Sequence, residues 1–299
     1  MIKELSLYLS SLRAYSFPLS ISSALIGPAW AYSSGHRIDT VRLFLVCATV
    51  LLFHSAVNML NDYYDYNKGV DKNERQLAIQ RNAPRFLLHY ALLLFFIGAS
   101  FGAILVYLSG LPLLIMGTTG AVLSFFYTGK KLSLKYMALG ELTVFITFGP
   151  LLGLASLYAV SRTFSLHAAL LASAPGLLAA LVLFLNNLRD IENDKKAHIK
   201  TLPMYFAKKT STLVALSALM LPYIIIVCGT ISGFFTLYLL LSLLSLPAAI
   251  PVIKEIFSNN GTPDYDKALM GTIRIHTLFT VLCITGLVAS VFFGRLFEN

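Results

Sequence analysis

Four aspartates stand out by their company and spacing. Asp62 and Asp65 close the run Asn58-Met59-Leu60-Asn61-Asp62-Tyr63-Tyr64-Asp65. Asp190 and Asp194 fall in Asn186-Asn187-Leu188-Arg189-Asp190-Ile191-Glu192-Asn193-Asp194. On a helix, Asn58, Asn61, Asp62 and Asp65 form one stripe at i, i+3, i+4 and i+7, and Asn186, Asp190 and Asp194 form another at i, i+4 and i+8. Carboxylates clustered at helix C-termini repel one another and oppose the helix dipole, so something cationic must compensate. Carboxylate and amide oxygens are hard donors that suit Mg²⁺, an ion that takes one or two carboxylates and completes its shell with water and phosphate. Two facing stripes of this kind would hold a diphosphate through Mg²⁺.

The elements that carry these stripes are apolar. The chain has 299 residues, 57% of them hydrophobic and 12% charged, with a mean hydropathy of +0.74. A soluble domain carries about 25% charged residues, so lipid is the expected solvent for most of this chain. Runs of sufficient length predict an all-α integral membrane bundle of nine transmembrane helices, near 14–33, 41–60, 86–108, 111–127, 138–160, 164–186, 212–232, 234–253 and 272–294. The first is the weakest, being rich in Ser and broken by Pro18 and Pro28. The two acidic motifs fall at the ends of the second and sixth runs. Residues 1–299 read as one domain, with no soluble module or low-complexity linker.

Charge fixes the expected orientation. With the N-terminus inside, 19 of the 23 Lys and Arg residues fall in cytoplasmic segments, and only Arg37, Arg42, Arg162 and Arg295 fall outside. Both acidic motifs then lie on the cytoplasmic side. The net charge of +9 is a topology signal in short loops, which argues against a nucleic-acid partner. The opening residues, with Lys3, Glu4 and no small-residue cleavage site after a short apolar core, give the expectation of a bacterial inner (cytoplasmic) membrane protein. Cys47, Cys228 and Cys283 each sit in an apolar run without metal-ligand spacing and read as buried packing residues.

With these motifs in place, the sequence resembles the UbiA superfamily of intramembrane aromatic prenyltransferases, over essentially the whole chain. Asn61-Asp62-Tyr63-Tyr64-Asp65 with Lys68-Gly69-Val70-Asp71, and Asn186 through Lys196, are similar to the two motifs of the 1,4-dihydroxy-2-naphthoate polyprenyltransferases of menaquinone synthesis. Tyr127-Thr128-Gly129, Leu139-Gly140-Glu141 and Phe148-Gly149-Pro150 also resemble that branch, while Lys131 is similar to the 4-hydroxybenzoate branch. The resemblance implies Mg²⁺-dependent transfer of a polyprenyl group from its diphosphate to a small aromatic acceptor. It implies that Asp62, Asp65, Asp190 and Asp194 hold the metal. Asn58, Asn61, Lys130, Lys131, Asn187 and Arg189 would contact the diphosphate, and Tyr127 and Glu141 would face the acceptor or the pocket. Glu141 could equally pair with a loop lysine. His54, one turn before Asn58, reads first as a helix–helix hydrogen bonder and second as an acceptor contact.

Two alternatives stay within the same scaffold, a 4-hydroxybenzoate enzyme and a terpene cyclase. A third, an ion-coupled transporter, is disfavoured because transporter sites lie near the bilayer midplane, whereas these acids sit at helix ends.

Overall fold

In the computed structural model the described residues are 11–67, 84–128, 133–196, 199–257 and 263–293. Their regular structure is helical, joined by turns and loops, with one isolated bridge between Met137 and Lys200. In chain order the helices are α1 (Phe17–Ser33), α2 (Thr40–Asn67), α3 (Pro84–Ser109), α4 (Leu111–Thr128), α5 (Gly140–Phe148), α6 (Pro150–Ser161), α7 (Leu166–Lys196), α8 (Lys208–Ile231), α9 (Ala249–Ile256) and α10 (Tyr265–Phe293). A 3₁₀ segment, Leu237–Ala248, leads directly into α9.

Seven stretches among the described residues are long and apolar enough to cross a membrane: Thr40–Tyr64, Phe86–Ser109, Gly140–Ser161, Leu166–Lys196, Lys208–Ile231, Leu237–Ile256 and Tyr265–Phe293. The other two runs expected to span fall on α4, whose apolar part is Leu111–Tyr127, and on α1. At 1.5 Å per residue each reaches about 25 Å, short of the roughly 30 Å hydrocarbon core. The outer surface is apolar: on α3 alone Phe86, Tyr90, Leu92, Leu93, Phe96 and Tyr107 are exposed. Such a surface needs lipid, and the protein is an integral membrane protein.

α1 is the interior helix, which explains its poor hydropathy. It packs between α6 and α10 and also touches α2 and α7. Its serines are buried and internally bonded, Ser20 to Phe17 O and Ser22 to Pro18 O. A helix packed against helices instead of lipid uses small residues for close approach. Gly27 shows this directly, since a Cβ there would lie 2.3 Å from Leu157 N.

The expected fifth span is interrupted. Gly149 separates α5 from α6, and Pro150 opens α6 at its first position. Proline disfavours helical backbone in the residue before it, so the break falls at Gly149. Gly176 of α7 packs into the break, where a Cβ would lie 2.6 Å from Gly149 Cα. The expected eighth span also differs from a regular α-helix, being 3₁₀ over its first 12 residues.

Three helix starts are capped by side chains. Asp39 Oδ1 accepts from Val41 N (2.8 Å) at α2, Ser165 Oγ accepts from Ala168 N (3.1 Å) at α7, and Asp264 Oδ1 accepts from Lys267 N (3.0 Å) at α10. Each satisfies an amide that the helix itself leaves unpaired. Those bonds, with the Lys267 ammonium 2.9 Å from its other oxygen, hold the Asp264 carboxyl below its ordinary range.

Candidate active site

Both acidic motifs lie inside helices that outrun their apolar stretches. α2 continues to Asn67 and α7 to Lys196, so each motif rides on rigid backbone. Between them is a cavity of about 500 Å³. Its polar end carries Asn58 and Asn61 of α2 and Asn186 of α7, together with Arg13, Tyr127 and Lys135. The remainder is mostly apolar, walled by α2 from Val46 to Val57, α3 from Ala99 to Val106, α4 from Leu113 onward, and α5–α6.

Asp62 is buried, and its Oδ1 accepts from Arg13 Nη2 at 2.6 Å. Asn58 Nδ2 donates to Leu12 O at 3.0 Å, so two residues of this motif fasten the segment before α1. Asn61 is buried and accepts from Lys135 Nζ at 3.3 Å. Asp65 lies on α2, with its side chain outside the described residues, as are Lys130, Lys131 and Asp71.

On α7, Arg189 grips Asp190 with two bonds, Nε to Oδ1 at 2.9 Å and Nη2 to Oδ2 at 2.8 Å. Its Nη1 reaches Asp266 of α10 at 2.6 Å, and Nη2 also donates to Asn186 Oδ1 at 2.8 Å. Asp194 is buried, and Thr201 Oγ1 donates to its Oδ2 at 3.5 Å. The same loop then accepts from Ala138 N at Lys200 O (3.1 Å), which anchors the segment carrying Lys135. Asp194 therefore helps to hold the loop that hangs Lys135 over the polar end of the cavity.

Three expectations change. Asn187 does not line the cavity, and Asn186 does. One residue along a helix is a rotation of about 100°, which turns Asn187 toward α5. There its Nδ2 donates to Glu141 Oε1 at 2.9 Å, and both side chains are buried. Glu141 is accordingly not among the residues lining the cavity, and its partner among the described residues is Asn187. Arg189 is likewise engaged with Asp190 and Asp266 and is not among the lining residues. Tyr127 does line the cavity.

Arg13 and Lys135 are site residues that motif reading passed over. Each appeared in the sequence only as a cytoplasmic basic residue. The signal that could have found them is the buried acid or amide lacking a local cation, which a distant basic residue must supply.

The oxygen donors present are of the type that suits Mg²⁺, although Asp62, Asp190 and Asp194 are not among the residues lining the cavity. Among the described residues no group of three Asp, Glu, His or Cys side chains gathers around a point. Oxygen donors instead come from two helices, with Asp62 and Asn61 on one and Asn186 and Asp190 on the other. That suits an ion whose shell is finished by water and phosphate rather than by an all-protein cage.

The chain matches known proteins over most of its length. The model of the UbiA prenyltransferase family matches residues 20–276. The chain is 32% identical over 289 residues to UbiA prenyltransferase domain-containing protein 1 of Xenopus tropicalis, covering 94% of this chain and 81% of that protein. It is 27% identical over 261 residues to 1,4-dihydroxy-2-naphthoate octaprenyltransferase of Bacillus subtilis (strain 168), covering 86% and 84% respectively. Among solved structures it is similar to a UbiA homolog from Archaeoglobus fulgidus bound to GPP and Mg²⁺, with a TM-score of 0.65 at 12% identity over 94% of this chain and 99% of that one.

Proposed function

Because the chain belongs to the UbiA prenyltransferase family, we propose that it transfers a polyprenyl group from polyprenyl diphosphate to an aromatic acceptor, 1,4-dihydroxy-2-naphthoate. The observation that carries this reading is the cavity itself. Its polar end is built from Asn58 and Asn61 of one motif helix and Asn186 of the other, beside Arg13 and Lys135, and its body is apolar. A polyprenyl diphosphate has the same division into a charged head and a long apolar tail.

Asp62, Asp65, Asp190 and Asp194 are proposed to hold Mg²⁺, as the Archaeoglobus homolog binds that ion with its prenyl diphosphate. Held by these residues, Mg²⁺ would supply positive charge to the diphosphate leaving group. The chain's own residues do the rest. Asn58, Asn61 and Asn186 orient the head group. Lys135 and Arg13 bring positive charge to oxygens that gain negative charge in the transition state, a contribution that is large where water is excluded. The apolar walls keep water from the allylic cation until the ring attacks.

The acceptor rests on the motif resemblance and on likeness to the Bacillus enzyme. The positive-inside distribution supports nine crossings, a cytoplasmic N-terminus and a site that opens to the cytoplasm. The test is incubation of purified protein with Mg²⁺, a long-chain polyprenyl diphosphate and either 1,4-dihydroxy-2-naphthoate or 4-hydroxybenzoate, followed by mass spectrometry of the lipid extract. A prenylated, decarboxylated naphthoquinol is expected. Prenylated hydroxybenzoate instead would reassign the acceptor.

A further inference from the structure

Below the polar end of the cavity, α1 and α2 build a small polar cluster in an otherwise apolar wall. His54, Ser16 and Ser20 all line the cavity. His54 Nε2 lies 3.2 Å from Ser16 Oγ, and His54 Nδ1 lies 2.9 Å from Ser20 Oγ. The ring is braced edge-on by Phe17 (centroids 5.8 Å apart) and by Phe148 (5.5 Å). Its orientation is therefore fixed by four neighbours, on α1, on the residue just before it and on α5.

The protons of this cluster do not suffice for its contacts. Ser16 Oγ also donates to Arg13 O at 2.7 Å, and Ser20 Oγ to Phe17 O at 3.0 Å. There are four contacts. Two hydroxyls and one neutral imidazole offer three protons. With both hydroxyls donating to their carbonyls, the neutral ring has one proton for two serines, and its other nitrogen is left as an acceptor for one more donor. Thr118, Thr143, Thr147 and Ser156 on the wall are spent on their own helices, each donating to a backbone carbonyl three or four residues earlier, whereas Thr49 Oγ1 has no hydrogen-bond partner among the described residues.

We propose that Ser16 and His54 form the subsite that receives a ring hydroxyl of the aromatic acceptor, so that the phenolic O–H supplies the missing donor. This deepens the aromatic-acceptor reading and rests on it. Position favours it. His54 and Asn58 are four residues apart on α2, about 6 Å along the helix axis. A hydroxyl held at His54 places the ring about one turn inward from the diphosphate end, on the side where the allylic carbon is released. Phe148, which also lines the cavity, flanks the same spot.

The test compares two competitive ligands that differ in one group, 1-hydroxy-2-naphthoate and 2-naphthoate, as inhibitors of transfer to 1,4-dihydroxy-2-naphthoate. Wild type is expected to bind the hydroxylated ligand about 10-fold more tightly, the usual worth of one well-made hydrogen bond. His54→Leu should reduce that preference to near unity and raise KM for the acceptor, with KM for the polyprenyl diphosphate unchanged. A side chain needed only for packing would alter both KM values and leave the preference intact. Ser16→Ala, a milder change, should lower the preference about 3-fold, and His54→Gln should keep most of it. An equal preference in wild type and Ser16→Ala, or none in wild type, overturns the subsite even if His54→Leu does not fold. Wild type that prenylates no aromatic compound at all fails the aromatic-acceptor reading instead.

Discussion

Arg13 reaches from the turn before α1 to Asp62 on α2 and meets its carboxylate at 2.6 Å. The acid is nearly sealed, at 4% side-chain exposure, while the arginine keeps 26%. Removing Arg13 would leave a buried carboxylate without this partner. Loss of one member of a fully buried pair costs 3–5 kcal/mol; with Arg13 a quarter exposed, Arg13→Ala should cost about 1–3 kcal/mol. Thermal melts of the two single mutants and the Arg13→Ala/Asp62→Ala double mutant in detergent measure the coupling. The double mutant should be less destabilised than the sum of the singles, and strict additivity would mean that the pair contributes nothing.

Glu141 and Asn187 form a buried pair of a different kind. Glu141 Oε2 has no hydrogen-bond partner among the described residues, and Oε1 depends on Asn187. Asn187→Leu should therefore destabilise by about 1–3 kcal/mol, since it strands a buried acid. Glu141→Gln keeps an oxygen for Asn187 and should be far milder. Stability measurements separate this from a direct role: if Asn187→Leu left stability intact and abolished only turnover, Asn187 would belong to the site.

The break at Gly149 depends on backbone contact with Gly176. Gly176→Ala puts a methyl group 2.6 Å from Gly149 Cα and 2.9 Å from Phe145 O, atoms that cannot move independently of their helices. Overpacking of this sort costs about 1–3 kcal/mol. Gly117→Ala is the control, because nothing lies within 4 Å of a Cβ there. Melting temperatures should fall for the first and stay level for the second.

Orientation is open to direct labelling. In a variant with Cys47, Cys228 and Cys283 replaced by Ala, His36→Cys should react with an impermeant maleimide in intact cells. Glu192→Cys should react only after permeabilisation. The opposite pattern would invert the topology inferred from the charged loops.

Much of this arrangement was legible in the sequence because it depends on local periodicity. Hydropathy located the long spans, and the i, i+4, i+8 spacing put Asn186, Asp190 and Asp194 on one stripe of α7. What local patterns could not supply were contacts between distant segments. Which of Asn186 and Asn187 faces the cavity depends on how α7 is rotated against α5. Arg13 and Lys135 become site residues only when the turn before α1 and the loop after α4 fold back over the motif helices. Asp264, far from either motif, caps α10. The weak hydropathy of α1 had a meaning that composition alone could not express: its neighbours are helices on most sides.

The most direct test of the central claim, that the two motif helices together hold one Mg²⁺-bound diphosphate, is a transfer assay on purified Asp62→Asn and Asp190→Asn proteins. Wild type should release diphosphate and form prenylated product only with Mg²⁺, and EDTA should stop it. Each single mutant, shown to be folded by its melt, should lose about 100-fold or more in kcat, the scale expected when one group that stabilises transition-state charge is removed. Mutants of both helices that turn over at wild-type rates, or a wild type indifferent to EDTA, would contradict the claim.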